Sequence, residues 1–269
     1  FEEEAQVITA SRRLEPLQES PSNITIITEA QIRTSGARTL SELLSTFPGI
    51  QITTHRKGSE KIWIRGVAAV YNDKTVLLID GFPYKELIYG QHPIDEQLPL
   101  TDVKRIEIIK GPASVLYGAN ALGGVINVMT HAPQDQTKTT VTAGLGNWNT
   151  HRYSVSTGRQ ADWGGAVFSG TYYDSQGDGH DRDADGNSTT RRDPNNLKHM
   201  RLRFSSHGLS LGASHSIFQT DEPEEPDTQT RRFANDTTLL NLQWKRQLGE
   251  GFSLTARSYY NLYDWGNSR

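Results

Sequence analysis

Three stretches of this sequence carry side chains whose types and spacing suit chemistry. In "DGHDRDADGN", Asp181, Asp183, Asp185 and Gly186 reproduce the opening of a calcium loop, where alternate carboxylates supply hard oxygen ligands and a glycine allows the sharp turn. The position that should hold a bidentate Glu is Arg192, so a solvated acidic loop is the plainer reading and Ca2+ the second. In "KGPASVLYGANALGG", clustered glycines invite a phosphate-cradling loop. Such a loop needs Lys and then Ser or Thr directly after its last glycine; here Lys110 precedes Gly111 and no Lys follows Gly118, so that reading fails. Two adjacent strands joined by tight turns remain, with the glycines supplying backbone freedom. Third, Tyr84, Tyr89 and His92 lie in a long connection from Phe82 to Pro99. They are candidate ligand-binding groups, and His92 has the chemistry of a haem axial ligand, against the ordinary alternative of an exposed histidine. No nucleophile–base pair or metal triad emerges, which sets an enzyme low and points to binding rather than covalent chemistry.

Composition narrows the classes. The chain has 269 residues, a formal net charge of −3 and no cysteine. Nothing basic invites nucleic acid, and disulfides and thiolate metal sites are absent. No apolar run approaches the roughly 20 residues of a membrane-spanning helix, which excludes a helical membrane protein but not a β-barrel. The chain begins at Phe1 without a basic-then-apolar leader, as either a processed mature protein or a trimmed one would; removal of a leader would imply export.

The elements that would position these groups fall into two halves. Residues 1–20 are charged, and read as a mobile arm with a β-prone island, "VITA". Residues 21–133 read as an α+β domain with one small sheet: "NITIIT", "GIQIT", "KIWIRG", "TVLLIDG", "VKRIEII" and "GGVINVMT" are strands. Thr28 with Gln31, and Thr39 with Glu42, each match a capping box for a short helix. Leu40, Leu43, Leu44 and Phe47 recur at helical spacing. From residue 134 to 269 the period changes to two, with no helix between. Met200, Leu202 and Phe204, for example, alternate with His199, Arg201 and Arg203.

The connections between these strands are sorted. From "RQADW" onward, short turns alternate with long polar loops, as in outer-membrane barrels with short periplasmic turns and long external loops; a soluble sandwich need not sort its loops by end. Trp148, Trp163, Trp244 and Tyr172 fall where an aromatic girdle would sit. "DEPEEPD", residues 221–227, reads as a solvated loop tip.

The stretch "KGPASVLYGANALGGVINVMT" resembles the end of the plug domain of TonB-dependent outer-membrane receptors. "ESPSNITIITEAQI", "LSELLSTFPGI", "IWIRG" and "VLLIDGFP" resemble its other landmarks in the same order. The resemblance covers the first half densely and the second only as a barrel pattern. It implies an α+β plug domain followed by antiparallel transmembrane β-barrel strands, about seven of an expected 22, in the bacterial outer membrane. It implies import of a scarce nutrient, foremost a ferric siderophore, with cobalamin or haem import, or a non-transporting ligand-sensing receptor, as alternatives. The ligand would be an iron chelate and no cofactor is required, with Ca2+ in an external loop as the second reading of that loop. Its partners would be TonB, outer-membrane lipid and a second chain or missing segment completing the barrel. Glu4, Ala5, Gln6, Val7, Ile8, Thr9 and Ala10 would be the TonB box, which offers its main chain to the partner's edge strand. Arg65 and Lys110 would be the cations of a plug–barrel lock, with Lys110 standing where the family pattern resembles Arg.

Overall fold

Thr28 both ends a strand and starts a helix. Its hydroxyl accepts from the Gln31 N–H, and the Gln31 side chain accepts from the Thr28 N–H, a reciprocal capping box. Thr39 likewise accepts from the Glu42 N–H, but the Glu42 carboxylate turns to the N–H and guanidinium of Arg38 instead. Burial pushes the Glu42 carboxyl up, and the Arg38 hydrogen bonds and charge outweigh it and hold the group below its usual value.

The computed structural model describes residues 6–7, 9, 15–16, 23–56, 59–67, 74–85, 92–94, 96–118, 120–136, 138–177, 194–223, 230–249 and 251–267. In chain order the first unit contains β1 (Gln6–Val7), β2 (Glu15–Pro16), β3 (Ile24–Thr28), α1 (Glu29–Ser35), α2 (Leu40–Ser45), β4 (Ile50–Arg56), β5 (Ser59–Ile64), β6 (Thr75–Ile79), β7 (Phe82–Pro83), β8 (Val103–Lys110), α3 (Ser114–Tyr117) and β9 (Gly124–Thr130). The second contains β10 (Thr140–Gly146), β11 (Thr150–Ala161), β12 (Gly164–Ser175), β13 (Asn195–Ser206), β14 (Leu209–Pro223), β15 (Thr230–Gly249) and β16 (Phe252–Asn267). The chain divides between Thr130 and His131.

The first unit is built on a five-stranded sheet in the order β3-β8-β9-β6-β7, with β6 and β9 parallel and the other pairs antiparallel. The single sheet expected from the sequence is not what forms. β4 and β5 pair with each other as a separate hairpin. Strand pattern marks which segments are extended, not which share a ladder. Ile27, Leu77, Ile106, Ile108, Ile126 and Val128 are fully buried along one face of the larger sheet. On the other face Leu78, Ile109, Ala121 and Val125 form a smaller cluster, with Tyr117 packed against it. Both faces being covered explains the nearly continuous apolar runs of β8 and β9.

The second unit is a seven-stranded antiparallel meander, β10 to β16 in chain order. Its register confirms the period-two reading: Phe168 opposes Leu202, Leu202 opposes Ala213, and Ala213 opposes Leu240, which opposes Tyr260. All these lie on one face, where Phe168, Leu202, Leu240 and Tyr260 are exposed. The opposite face carries buried Ser154, Thr171, His199, Arg201, Ser216 and Thr237. That is apolar outside and polar inside, the reverse of a soluble sandwich and the arrangement of a lipid-facing barrel wall. Turns at Asp162–Trp163 and His207–Gly208 lie at one end of the meander, and the pairs Ser175–Asn195 and Pro223–Thr230 end their ladders at the other. Trp163 stacks on Phe204 at the short-turn end, and Tyr153 on Tyr172 toward the other. Trp163 and Tyr172 are nine residues apart, about 30 Å of strand at roughly 3.3 Å per residue, or about 23 Å of height at a tilt near 40°; an apolar band is about 25 Å tall.

Depth within that band sets a testable gradient. Leu202→Arg, near mid-band, is expected to cost about 2–4 kcal/mol of barrel stability, and Leu248→Arg at the short-turn end about 0–1 kcal/mol. Denaturant titration of the receptor folded into lipid vesicles measures both. Equal costs would show that the apolar face does not contact lipid.

Candidate functional site

Two polar residues interrupt the apolar runs of the central strands. Glu107 on β8 and Asn127 on β9 oppose each other directly across the ladder, exposed by 0% and 2% respectively. A carboxylate placed there must be paired and hydrogen-bonded, because its charge has no water. Arg105, two residues earlier on the same strand and therefore on the same face, supplies the cation: its Nη2 lies 2.7 Å from Glu107 Oε1. The other oxygen, Oε2, accepts from the N–H of Thr9 at 2.8 Å and from its hydroxyl at 2.5 Å. Asn127 Nδ2 donates to the Thr9 hydroxyl oxygen at 3.1 Å, and the Tyr117 hydroxyl donates to the Thr9 carbonyl at 2.7 Å. Thr9 is thus wholly buried and fully bonded by three side chains of the sheet and the connector beyond β8.

Local structure explains how the pocket is held. The glycine-rich block after β8 is a looped excursion that carries α3 and returns to pair Gly124 with Lys110. It brings Tyr117 over the sheet face that bears Glu107. Asn127 is fixed from the other side: its Oδ1 accepts from the Gly81 N–H at 2.9 Å. Asp80 and Gly81, at φ 51° and 77°, form the two-residue turn between β6 and β7, with the left-handed backbone at both positions that Asp-Gly favours. Asp80 anchors that turn by accepting from the N–H and hydroxyl of Thr130.

The other sequence candidates are placed differently. Tyr84 and His92 are buried, exposed by only 2% and 1%. His92 Nδ1 lies 2.9 Å from the Tyr84 carbonyl and Nε2 2.8 Å from the Thr75 carbonyl. Both ring nitrogens are turned to backbone acceptors, so axial ligation of haem would require breaking one of these contacts. Tyr84 continues alongside β6 after β7, with its N–H donating to the Leu77 carbonyl. Lys110 Nζ donates to the Pro48 carbonyl at 2.8 Å, within the first unit. Arg65 is exposed, sits at φ 51° in a turn, and gives its N–H to the Gly49 carbonyl. Tyr89, Asp181, Asp183 and Asp185 lie outside the described residues, as do Glu4, Ala5, Ile8 and Ala10. The arm is not free throughout, since Gln6 and Val7 pair with Pro16 and Glu15 and Thr9 is bound. Glu107, Tyr117 and Asn127 escape sequence reasoning. The available signal is a polar residue inside "IEII" and another inside "VINV", where burial makes polarity informative.

Residues 16–125 match the family model of the TonB-dependent receptor plug domain. Together with the relatives and fold neighbours, that match supports a TonB-dependent outer-membrane receptor. The vitamin B12 transporter BtuB of Vibrio cholerae is 36% identical to the receptor over 158 residues, 58% of this chain and 25% of that protein. BtuB of Vibrio vulnificus is 31% identical over 64% of this chain and 28% of its own length. The receptor chain therefore spans about a quarter of the length of the curated relatives it matches. Among solved structures, the pyoverdine receptor FpvA of Pseudomonas aeruginosa, bound to pyoverdine, superposes with a TM-score of 0.77 at 17% identity, covering 97% of this chain and 40% of that one. The alcaligin receptor FauA of Bordetella pertussis gives 0.75 at 14%, covering 97% and 42%. At those identities the likeness is one of fold: a plug sheet followed by barrel strands. The plug landmarks become β6 with its Asp80–Gly81 turn, the end of β8, and β9.

Proposed function

We propose that the receptor imports a scarce nutrient across the outer membrane and is driven through its arm by TonB. The observation that carries this is the segment Glu4–Ala10: just ahead of the plug match, its Gln6–Val7 is already a strand and its Thr9 is bound to the plug sheet. An extended segment of this kind suits β-augmentation by a partner's edge strand. Two substrate classes have equal support. The relatives at 31–36% identity are vitamin B12 transporters, which favours a corrinoid. The fold neighbours are siderophore receptors, which favours a ferric chelate. The resemblance still supports Arg65 and Lys110 as cations of a plug–barrel lock. Open backbone edges on β10 and β16 would not be tolerated in lipid, so further strands, from the same chain or a second one, would pair with them.

The test is binding and uptake of labelled cyanocobalamin and of ferric siderophores by cells expressing the whole receptor, with and without TonB. Uptake of one class that requires TonB supports the proposal and names the substrate. Binding without uptake would make the protein a sensing receptor, and no binding of either class would overturn the substrate reading.

A further inference from the structure

The lipid-facing wall of the meander carries a groove with a lysine beyond it, toward the end opposite the short turns. We propose that β13, β14 and β15 bind a phosphorylated glycolipid of the outer leaflet, with an acyl chain in the groove and a phosphate on Lys198. The groove, of about 450 Å³, is lined by Leu202, Phe204, Leu211, Ala213, Leu240 and Leu242. Ala213 opposes Leu202 on one side and Leu240 on the other, so a small side chain sits between two large ones and leaves the space. Lipid chains touch every part of such a wall, and a dent alone names no ligand.

What singles this place out is charge. Lys198 stands four residues before Leu202 on β13 and shares its face. It is exposed, with no ion pair or hydrogen bond among the described residues. Directly opposite is Tyr172, an outward aromatic at the level where headgroups begin. An unpaired ammonium at that depth calls for an anion, and the lysine stem lies along apolar wall while its head reaches the headgroups. His215, two residues beyond Ala213 on β14, is the diagonal neighbour of Lys198. Its Nδ1 lies 3.0 Å from the Thr238 hydroxyl and 3.4 Å from Asp236. The opposite nitrogen, Nε2, has no partner among the described residues and is a second donor when the ring is protonated. Asp236 and Asp264 oppose each other on β15 and β16, so repulsion keeps the phosphate on the β13–β14 side. Short turns are periplasmic in an outer-membrane barrel, so the leaflet at Lys198 is the external one, which is built of phosphorylated glycolipid.

Native mass spectrometry of the whole receptor, delipidated in detergent and then given diphosphoryl lipid A, tests this. The native receptor should retain the lipid, and Lys198→Gln should weaken its binding about tenfold. Ala213→Phe, which fills the groove, should weaken it by at least as much. Lys198 is exposed, so its substitution decides the matter even where Ala213→Phe fails to fold. Lipid A stripped of phosphate should bind the native receptor and Lys198→Gln alike. No retention by the native receptor, or equal binding of diphosphoryl lipid A by the native receptor and Lys198→Gln, overturns the proposal. Tighter binding of phosphatidylglycerol than of lipid A overturns it as well.

Discussion

Val7→Pro stops uptake while external ligand binding stays at the native level; that is the expected result, and Ile8→Pro should give the same. Proline removes the main-chain N–H and fixes φ, so a ladder through position 7 loses a bond and meets the ring. Strand pairing at this segment is already visible within the arm, where Val7 pairs with Glu15. A loss of about 3 kcal/mol lowers capture by a partner strand on the order of 100-fold, enough to bring uptake to the level of cells lacking TonB. Radiolabelled uptake beside equilibrium binding separates the two steps. Uptake that survives both substitutions would place the coupling segment elsewhere.

Gly124→Ala should open the plug sheet at its centre. Gly124 has φ 157°, and a Cβ there would lie 2.3 Å from the Ile109 carbonyl oxygen and 2.8 Å from Ile64 Cδ1. The carbonyl belongs to β8, to which β9 is paired from Lys110 and Gly124 onward, so backbone must move. The expected cost is roughly 3 kcal/mol or more, with β9 amides such as Ile126 exchanging on the order of 100-fold faster. Gly36→Ala is the control: φ is 72° but no atom of the described residues lies within 4 Å of the added Cβ, so about 1 kcal/mol of backbone strain is all it should cost. Equal effects at the two positions would show that contact with β8 is not what demands glycine at 124.

The barrel wall is readable in the sequence because one physical constraint repeats along it. Each strand must show lipid one face and not the other, so Met200 and Leu202 alternate with His199 and Arg201, and the register keeps them aligned. Thr28 and Thr39 are readable because a cap is local, three residues from its partner. The plug's site is not local. Thr9 and Glu107 are 98 positions apart, and nothing near either one announces the other. An exposed His92 is the ordinary reading because loop polarity is only a correlate of exposure; its ring is instead held between the Tyr84 and Thr75 carbonyls, which a linear pattern does not bring together. The separate β4–β5 hairpin is missed for the same reason, since extended segments do not name their ladder partners.

The two sheets differ in when they can form. In the meander every strand pairs with the one just made, so each hairpin can close as soon as its second strand exists. The plug order is different. Ile24 pairs with Ile109, 85 positions later, and β6 finds its parallel neighbour only when β9 arrives. Its closure carries the entropy of long loops, and folding slows as contacts become more distant in the chain. An exported chain would therefore have to pass its first 130 residues before β3, β8, β9 and β6 could share one sheet. Until then the apolar strands of the plug, "TVLLI" and "VINVM" among them, travel without partners. They are the segments a chaperone would have to shield, and slowing the exit of β9 should raise aggregation of the plug before it affects a single barrel hairpin.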